Sequence, residues 1–428
     1  MNYQNTLEFA QQMDANDPLA HFQSQFLVPE VNGKPTIYLC GNSLGLQPVN
    51  AQQHINAQLN NWKNLAIEGF FEGDEPWLDY HKELTPILAD IVGASKEEVT
   101  IMNSLTVNLH LLMVSFYKPN NKRFKIIMEG GAFPSDQYAF ASQVKFHGFD
   151  PKNAIVEVFP RDDEHTLRTE DILSAIAQNS DELALVLFSG INYFTGQLFD
   201  MEAITNAAHA AGAFAGFDLA HAAGNVPLKL HEWDVDFACW CSYKYLNSGP
   251  GGISAIYVNE KHFTNSSLPR FEGWWGYRQD KRFLMTPEFE PEVGAAGWQL
   301  STAPVMLLAL HKASLSIFKQ TDMQQLNAKS RLLTGYLAFL LQQLNSETGE
   351  ELFKIITPDN PDERGCQLSV VCKRKAKEIF NFLTKEGVIG DWREPNVIRL
   401  SPVPLYNSFK QVFEAASILG RSIKELAL

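Results

Sequence analysis

Val235-Asp236-Phe237-Ala238-Cys239-Trp240 is an apolar run that reads as a buried strand. It leads into Cys241-Ser242-Tyr243-Lys244 and then Tyr245-Leu246-Asn247-Ser248-Gly249-Pro250-Gly251-Gly252. A lysine that leaves a core strand and meets a glycine cluster is poorly explained as a solvated charge. Burial lowers the proton affinity of an amine, and an amine held near neutrality can form a Schiff base. Taken alone, Lys244 reads equally well as a lysine snorkelling from a strand end. Upstream, Phe217-Asp218-Leu219-Ala220-His221 places an Asp and a His at another strand end. A carboxylate for a pyridinium nitrogen and an amine for an aldehyde are the minimal protein equipment for pyridoxal phosphate. Together these residues favour a cofactor site.

Working outward, short apolar runs recur at Phe124 to Met128, Ala154 to Phe159, Leu183 to Phe188, Phe214 to Phe217, Phe237 to Cys241 and Ile253 to Val258. Helix-like segments such as Ser135 to Val144, Thr169 to Gln178 and Met201 to Ala211 lie between several of them. Continuous apolar strands separated by helices predict an α/β fold with a mainly parallel sheet covered on both faces. Upstream, Gln47 to Leu65 and Tyr80 to Val92 have helical spacing, and Gly93 is placed to end the second helix. Thr302 to Leu344 reads as one long helix linking two domains. Beyond it, strands at Phe353 to Ile356, Gln367 to Cys372 and Val397 to Leu400, with helices from Lys375 to Lys385 and Phe409 to Glu425, predict a small α+β carboxy-terminal domain. The resulting division is an amino-terminal segment over 1–50, a large domain over 51–310, and a linker helix with the small domain over 311–428.

Composition narrows the function. The 428 residues are 45% hydrophobic and 20% charged, an ordinary globular balance. A net charge of −14 and no basic run argue against nucleic-acid binding. The five cysteines are odd in number, and Cys239-Trp240-Cys241 lacks the gap of a zinc or redox pair, so no metal site is expected. The polar start of the chain lacks the apolar core of a secretory signal, and no apolar run reaches the ~18 residues of a membrane span. The expectation is a soluble, cytoplasmic enzyme with no membrane partner.

Ligands of such sheets gather beyond the carboxyl ends of the strands. Asn103-Ser104-Leu105-Thr106 precedes an apolar helix from Val107 to Tyr117, and its hydroxyls and free N–H groups suit either a phosphate cup or an ordinary helix cap. Phe133, in Ala132-Phe133-Pro134-Ser135-Asp136, suits ring stacking or simple core packing. Ser189-Gly190-Ile191-Asn192 follows another strand and alone is only a turn. His221 reads either as a ligand of the site or as a hydrogen-bonded structural histidine.

In order and spacing these features resemble kynureninase, a family of pyridoxal-phosphate enzymes with the aspartate-aminotransferase fold. The resemblance covers nearly the whole chain. It rests on Gly41-Asn42-Ser43-Leu44-Gly45, Asn103-Ser104-Leu105-Thr106-Val107-Asn108-Leu109-His110, Phe133-Pro134-Ser135-Asp136, Gly216-Phe217-Asp218-Leu219-Ala220-His221-Ala222, Gly273-Trp274-Trp275-Gly276 and Val403-Pro404-Leu405-Tyr406-Asn407. Above all it rests on Cys239-Trp240-Cys241-Ser242-Tyr243-Lys244-Tyr245-Leu246-Asn247.

The resemblance implies a seven-stranded large-domain sheet and the cofactor pyridoxal 5'-phosphate. It implies that Lys244 forms the Schiff base and later moves protons, that Tyr243 donates or relays a proton, and that Asp218 pairs with the pyridine nitrogen near Asp136. Phe133 would stack on the ring. Leu105 and Thr106 would hold the phosphate, helped by Ser189, His221 and Tyr243. Trp274 and Thr302 would reach the site from the other subunit of a homodimer with shared active sites. Arg399 would clamp the substrate α-carboxylate, with Ser43 and Phe70 also facing the substrate. The implied reaction hydrolyses L-kynurenine to anthranilate and L-alanine, in tryptophan catabolism or NAD biosynthesis, with the 3-hydroxy form as a second substrate. Glu68-Gly69-Phe70-Phe71-Glu72 departs from the animal pattern, which has a histidine there, and Thr302 replaces an Asn. Both departures favour the unsubstituted substrate.

Two rivals remain within the same residues. A cysteine desulfurase-like lyase would need a mobile nucleophilic cysteine, for which Cys366 lies in the right region, although Gly365 to Cys372 alternates like a half-buried strand. A catalytically silent binding protein would be expected to lack the lysine, the Asp or the arginine clamp, and all three are present.

Overall fold

The computed structural model describes residues 2–427. A seven-stranded sheet forms from β1 (Val99–Ile101), β2 (Lys125–Glu129), β3 (Ile155–Val158), β4 (Leu183–Ser189), β5 (Phe214–Asp218), β6 (Phe237–Cys241) and β7 (Ser254–Val258), in the order β1-β7-β6-β5-β4-β2-β3. All neighbours pair in parallel except β7, which runs antiparallel to both β6 and β1. The mainly parallel sheet expected from the sequence is therefore present. Six strands lie within a residue or two of the predicted runs. The seventh, β1, is a three-residue Val-Thr-Ile segment too short to carry a periodic signal.

Successive residues of one strand enter different cores. Ile127, Val186, Phe188, Phe217, Ala238 and Trp240 pack on one face. Ile126, Met128, Leu185, Leu187, Phe237 and Cys239 pack on the other. Side chains alternate across a strand, so two apolar cores demand continuous hydrophobic sequence, as Phe237–Cys241 shows.

A second sheet holds β8 (Phe353–Ile355), β9 (Leu368–Cys372), β10 (Asp391–Arg393) and β11 (Val397–Leu400), in the antiparallel order β8-β9-β11-β10. Its core takes in Leu383, Val412 and Leu419 from the helices Ala376–Lys385 and Phe409–Glu425, together with Ala10 and Leu39 from the start of the chain. Helix Phe409–Glu425 begins at Ser408, whose side chain and that of Gln411 form a reciprocal capping box.

Two expectations change. The single helix over Thr302 to Leu344 is two helices, Val305–Phe318 and Met323–Thr348. The side chain of Asp322 accepts the Gln325 N–H, and this cap starts a second helix after Lys319-Gln320-Thr321. The helix expected from Gln47 starts at Ala51, because Gln47–Pro48 pairs as a short strand with Phe26–Leu27.

The amino-terminal loop bears directly on the lysine. Gly45 N–H donates to Tyr243 O at 2.8 Å. A Cβ on Gly45 would stand 2.3 Å from Lys244 O and 2.2 Å from Asn247 Oδ1, so only glycine lets the two loops meet.

Candidate active site

The ends of β1, β2, β4, β5 and β6 and the edge of the small sheet enclose a cavity of about 440 Å³. Ser43, Leu105, Thr106, Phe133, Asp136, Ser189, Asp218, His221, Tyr243, Lys244 and Arg399 all line it. Register brings Asp218 beside Ser189 of β4 and Cys239 of β6, so the carboxylate sits at the rim of the sheet.

Lys244 Nζ lies 3.0 Å from His221 Nε2, 6.0 Å from the Phe133 ring centre and 5.9 Å from that of Tyr243. Burial, with the positive charges of Lys244, Arg399 and Arg393, holds the His221 imidazole well below its ordinary pKa. It is therefore neutral, and its Nε2 is within hydrogen-bond distance of the lysine. Burial also raises the Tyr243 hydroxyl, which remains an O–H donor beside Lys244.

Across the cavity Asp218 Oδ1 accepts the Ala220 N–H at 2.7 Å. Asp136 and Asp218 are both buried, and burial raises both; Asp218's charge and its hydrogen bond raise Asp136 further. Two carboxyls in such contact share a proton, and a cationic ring nitrogen is the natural replacement for it.

At the third corner, helix Leu105–Phe116 starts without a side-chain cap from Ser104, so its first N–H groups are not satisfied by that residue. The cup reading of this segment is favoured over the ordinary cap. Thr106 Oγ1 lies 2.8 Å from Ser135 Oγ beside these donors. Ser189 Oγ and His221 Nδ1 are buried without a hydrogen-bond partner, an arrangement that costs free energy unless a ligand supplies acceptors or donors. An anion-binding helix start, a buried carboxyl pair and a lysine in one cavity fit the phosphate, ring nitrogen and aldehyde of pyridoxal phosphate.

The substrate end departs from the simple clamp. Arg399 is 1% exposed and its guanidinium is already engaged. Nε donates to Asp391 Oδ1 at 3.0 Å and Nη1 to Tyr193 O at 2.5 Å. Nη2 lies 2.8 Å from Asp391 Oδ1 and donates to Ser43 Oγ at 3.2 Å. Ser43 Oγ in turn donates to Asp391 Oδ2. Burial pushes Asp391 up, but the hydrogen bond and charge of Arg399 and the Ser43 hydroxyl bring its pKa below the ordinary value.

Phe70, Trp274 and Thr302 do not line the cavity. The Phe70 ring packs edge-on against Trp77 at 5.3 Å and Trp275 at 6.4 Å. Trp274 is 47% exposed and donates from Nε1 to Arg282 O. Sequence reasoning missed Glu129, Tyr193 and Arg393, which do line the cavity. Glu129 is buried at the end of β2, takes the Asn192 Nδ2 hydrogen bond at 2.9 Å, and is raised chiefly by burial. A lone acid closing an apolar strand before Gly130-Gly131 was the available signal.

Comparison with known proteins adds the decisive observation. A kynureninase of Flavobacterium psychrophilum is 54% identical over 99% of this chain and all of its own length. One from Nematostella vectensis is 49% identical over 98% of this chain and 94% of its own. The chain belongs to the kynureninase family. A family model for the kynureninase C-terminal domain also matches residues 326–419. Among solved structures, the cysteine desulfurase of Thermococcus onnurineus superposes with a TM-score of 0.75 at 16% identity, covering 91% of this chain and 95% of that one. The lyase C-DES, solved as a variant with glycine covalently linked to its pyridoxal-phosphate cofactor, gives 0.74 at 15% identity, covering 93% and 98%. These two share the fold. The desulfurase-like alternative also fails on local grounds: Cys366 is fully buried, and burial pushes its thiol up to about 12, far from a mobile thiolate.

Proposed function

We propose that this chain is a pyridoxal-phosphate-dependent hydrolase that converts L-kynurenine and water to anthranilate and L-alanine. The observation that carries the reading is the Lys244–His221 pair facing the Asp218–Asp136 pair across one cavity, in a chain of this family.

The bound cofactor supplies an electron sink that stabilises negative charge next to the substrate nitrogen. Lys244 would anchor it and Asp218 would keep its ring nitrogen protonated. Leu105, Thr106, Ser189, His221 and Tyr243 would hold the phosphate end, and Phe133 would cover one ring face. Lys244, with neutral His221 in contact, takes the proton from the substrate Cα and returns one later. Water adds to the γ-carbonyl, the Cβ–Cγ bond breaks, the acyl fragment leaves as anthranilate, and Cβ gains a proton to become the methyl of alanine. Tyr243, held as O–H, is placed to deliver that proton. Arg399 and Ser43, both on the cavity wall, would receive the α-carboxylate.

The catalytic unit is a homodimer in this reading. Trp274, Phe283 and Met285 are 47%, 51% and 68% exposed, an apolar surface suited to a second copy. Trp274 and Thr302 contribute across that contact, and Phe70 acts through the aromatic cluster behind it. Residues 51–310 form the cofactor domain. Residues 1–50 and 311–428 bring Ser43 and Arg399 to it.

Purified protein supplied with cofactor should release the fluorescent amine anthranilate from L-kynurenine in equal amount to L-alanine. Turnover of cysteine to sulfide without kynurenine turnover would reject the assignment.

A further inference from the structure

The guanidinium of Arg399 has five N–H bonds. Its hydrogen bonds to Asp391, Ser43 and Tyr193 O, with the Asn42 amide oxygen accepting from Nη2 at 3.2 Å, use all but one Nη1 hydrogen. A carboxylate gripped at two points therefore needs a second donor from elsewhere on the cavity wall. Arg393 lines the same cavity. It sits on β10, two residues from Asp391, which pairs directly with Arg399 across the sheet. Arg393 Nη2 donates weakly to Asp391 Oδ2 at 3.3 Å. Its Nε lies 3.2 Å from Asp391 Oδ1 but is not directed at it, so this buried N–H has no hydrogen-bond partner. The guanidinium also lies 5.9 Å from the Tyr193 ring centre, whose carbonyl Arg399 holds.

Charge points the same way. Two guanidiniums share the single carboxylate of Asp391, leaving one uncompensated positive charge at the substrate end. A monoanionic α-carboxylate neutralises it, and the unpartnered Arg393 Nε together with the spare Arg399 Nη1 hydrogen gives a two-point contact from two residues.

We propose that Arg393 is a substrate-binding residue that completes, with Arg399, a two-arginine seat for the α-carboxylate, while Asp391 is a positioning residue that orients both. The inference rests on the kynurenine reading for the substrate, though not for the charge it carries. Asp391 has the opposite role to the substrate carboxylate: it occupies the fork so that Arg399 presents only one edge to the cavity. A structural role for Arg393, as a cross-strand ion pair with Asp391, would leave ligand binding untouched.

The test uses the cofactor-loaded enzyme and three ligands: L-kynurenine, its product L-alanine, and the amine that kynurenine leaves on losing its α-carboxylate. For Arg393→Gln, KM for kynurenine and the calorimetric dissociation constant of L-alanine should each rise 10- to 100-fold. kcat should change less than threefold, and the inhibition constant of the decarboxylated amine should stay within twofold. Arg393→Lys, which keeps the charge, should recover part of the loss. Alanine binding within threefold of wild type, or an equal loss of the decarboxylated amine, overturns the proposal. Wild-type turnover of kynurenine tests the functional reading separately, because the alanine comparison stands without it.

Discussion

Replacing Arg399 with lysine keeps the charge and removes the fork. Arg399 is 1% exposed and bonds to Asp391, Ser43 and Tyr193 O from three different nitrogens. A lysine ammonium presents all its donors at one point. In this buried setting it follows its strongest partner, Asp391, and withdraws from the cavity. The substrate then loses one charge-assisted hydrogen bond, worth about 1.5–3 kcal/mol, which corresponds to a fall in kcat/KM of about 10- to 150-fold. The Tyr193 carbonyl keeps only its Gln367 donor, so the folded state weakens by about 0.5–1.5 kcal/mol. Removing the charge as well, in Arg399→Leu, leaves the Asp391 carboxylate to Arg393 and the Ser43 hydroxyl alone and should weaken the fold more than the lysine does. The assay is steady-state release of anthranilate from kynurenine, alongside thermal unfolding of both variants. A lysine variant with kcat/KM within threefold of wild type would refute the reasoning, since it would place the carboxylate elsewhere.

Gly45→Ala should lower stability by about 1–3 kcal/mol and reduce cofactor occupancy, because the new Cβ meets Lys244 O and Asn247 Oδ1; spectroscopic titration with cofactor and urea unfolding check both. Asp136→Asn should stabilise the cofactor-free protein, with the gain growing as pH rises. The folded state raises the Asp136 pKa, so the wild-type contribution is full at low pH and is lost as pH climbs through the folded value. A pH-independent effect on thermal unfolding between pH 5 and 8 would contradict this. His221, His81 and His311 are all held below their ordinary pKa by burial, His81 at about 4 and His311 at about 3. Below about pH 6.5 the unfolded chain takes protons that the folded chain refuses, so stability should fall on acidification. The slope of unfolding free energy against pH should lessen by close to one proton in His311→Gln.

The strand-end chemistry was legible because a parallel sheet aligns its ends. Once Phe237–Cys241 and Phe214–Asp218 are strands, Lys244 and Asp218 must share an edge. Helices Tyr80–Val92, Thr169–Gln178 and Phe409–Glu425 were equally legible from their spacing and their ends, as with the left-handed Gly93 after the first. What escaped was set by tertiary contact. β10, an Asp-Trp-Arg segment without apolar alternation, has no strand signature, yet it carries Arg393 into the cavity wall and Asp391 behind it against Arg399 and Ser43. Glu129 becomes a cavity wall only because Asn192 and Ser189 N–H fold over it. The break between helices at Lys319–Asp322 was hidden because apolar periodicity continues on both sides and only the Asp322 cap marks the restart.

The central claim is that Lys244, at the end of the decisive strand, anchors the cofactor for kynurenine cleavage. Borohydride reduction of the loaded protein, followed by proteolysis and peptide mass spectrometry, tests it most directly. The reduced cofactor should be found on the peptide containing Lys244, and Lys244→Ala should show neither this label nor anthranilate release. Label on a different lysine, or wild-type turnover by Lys244→Ala, would contradict the account.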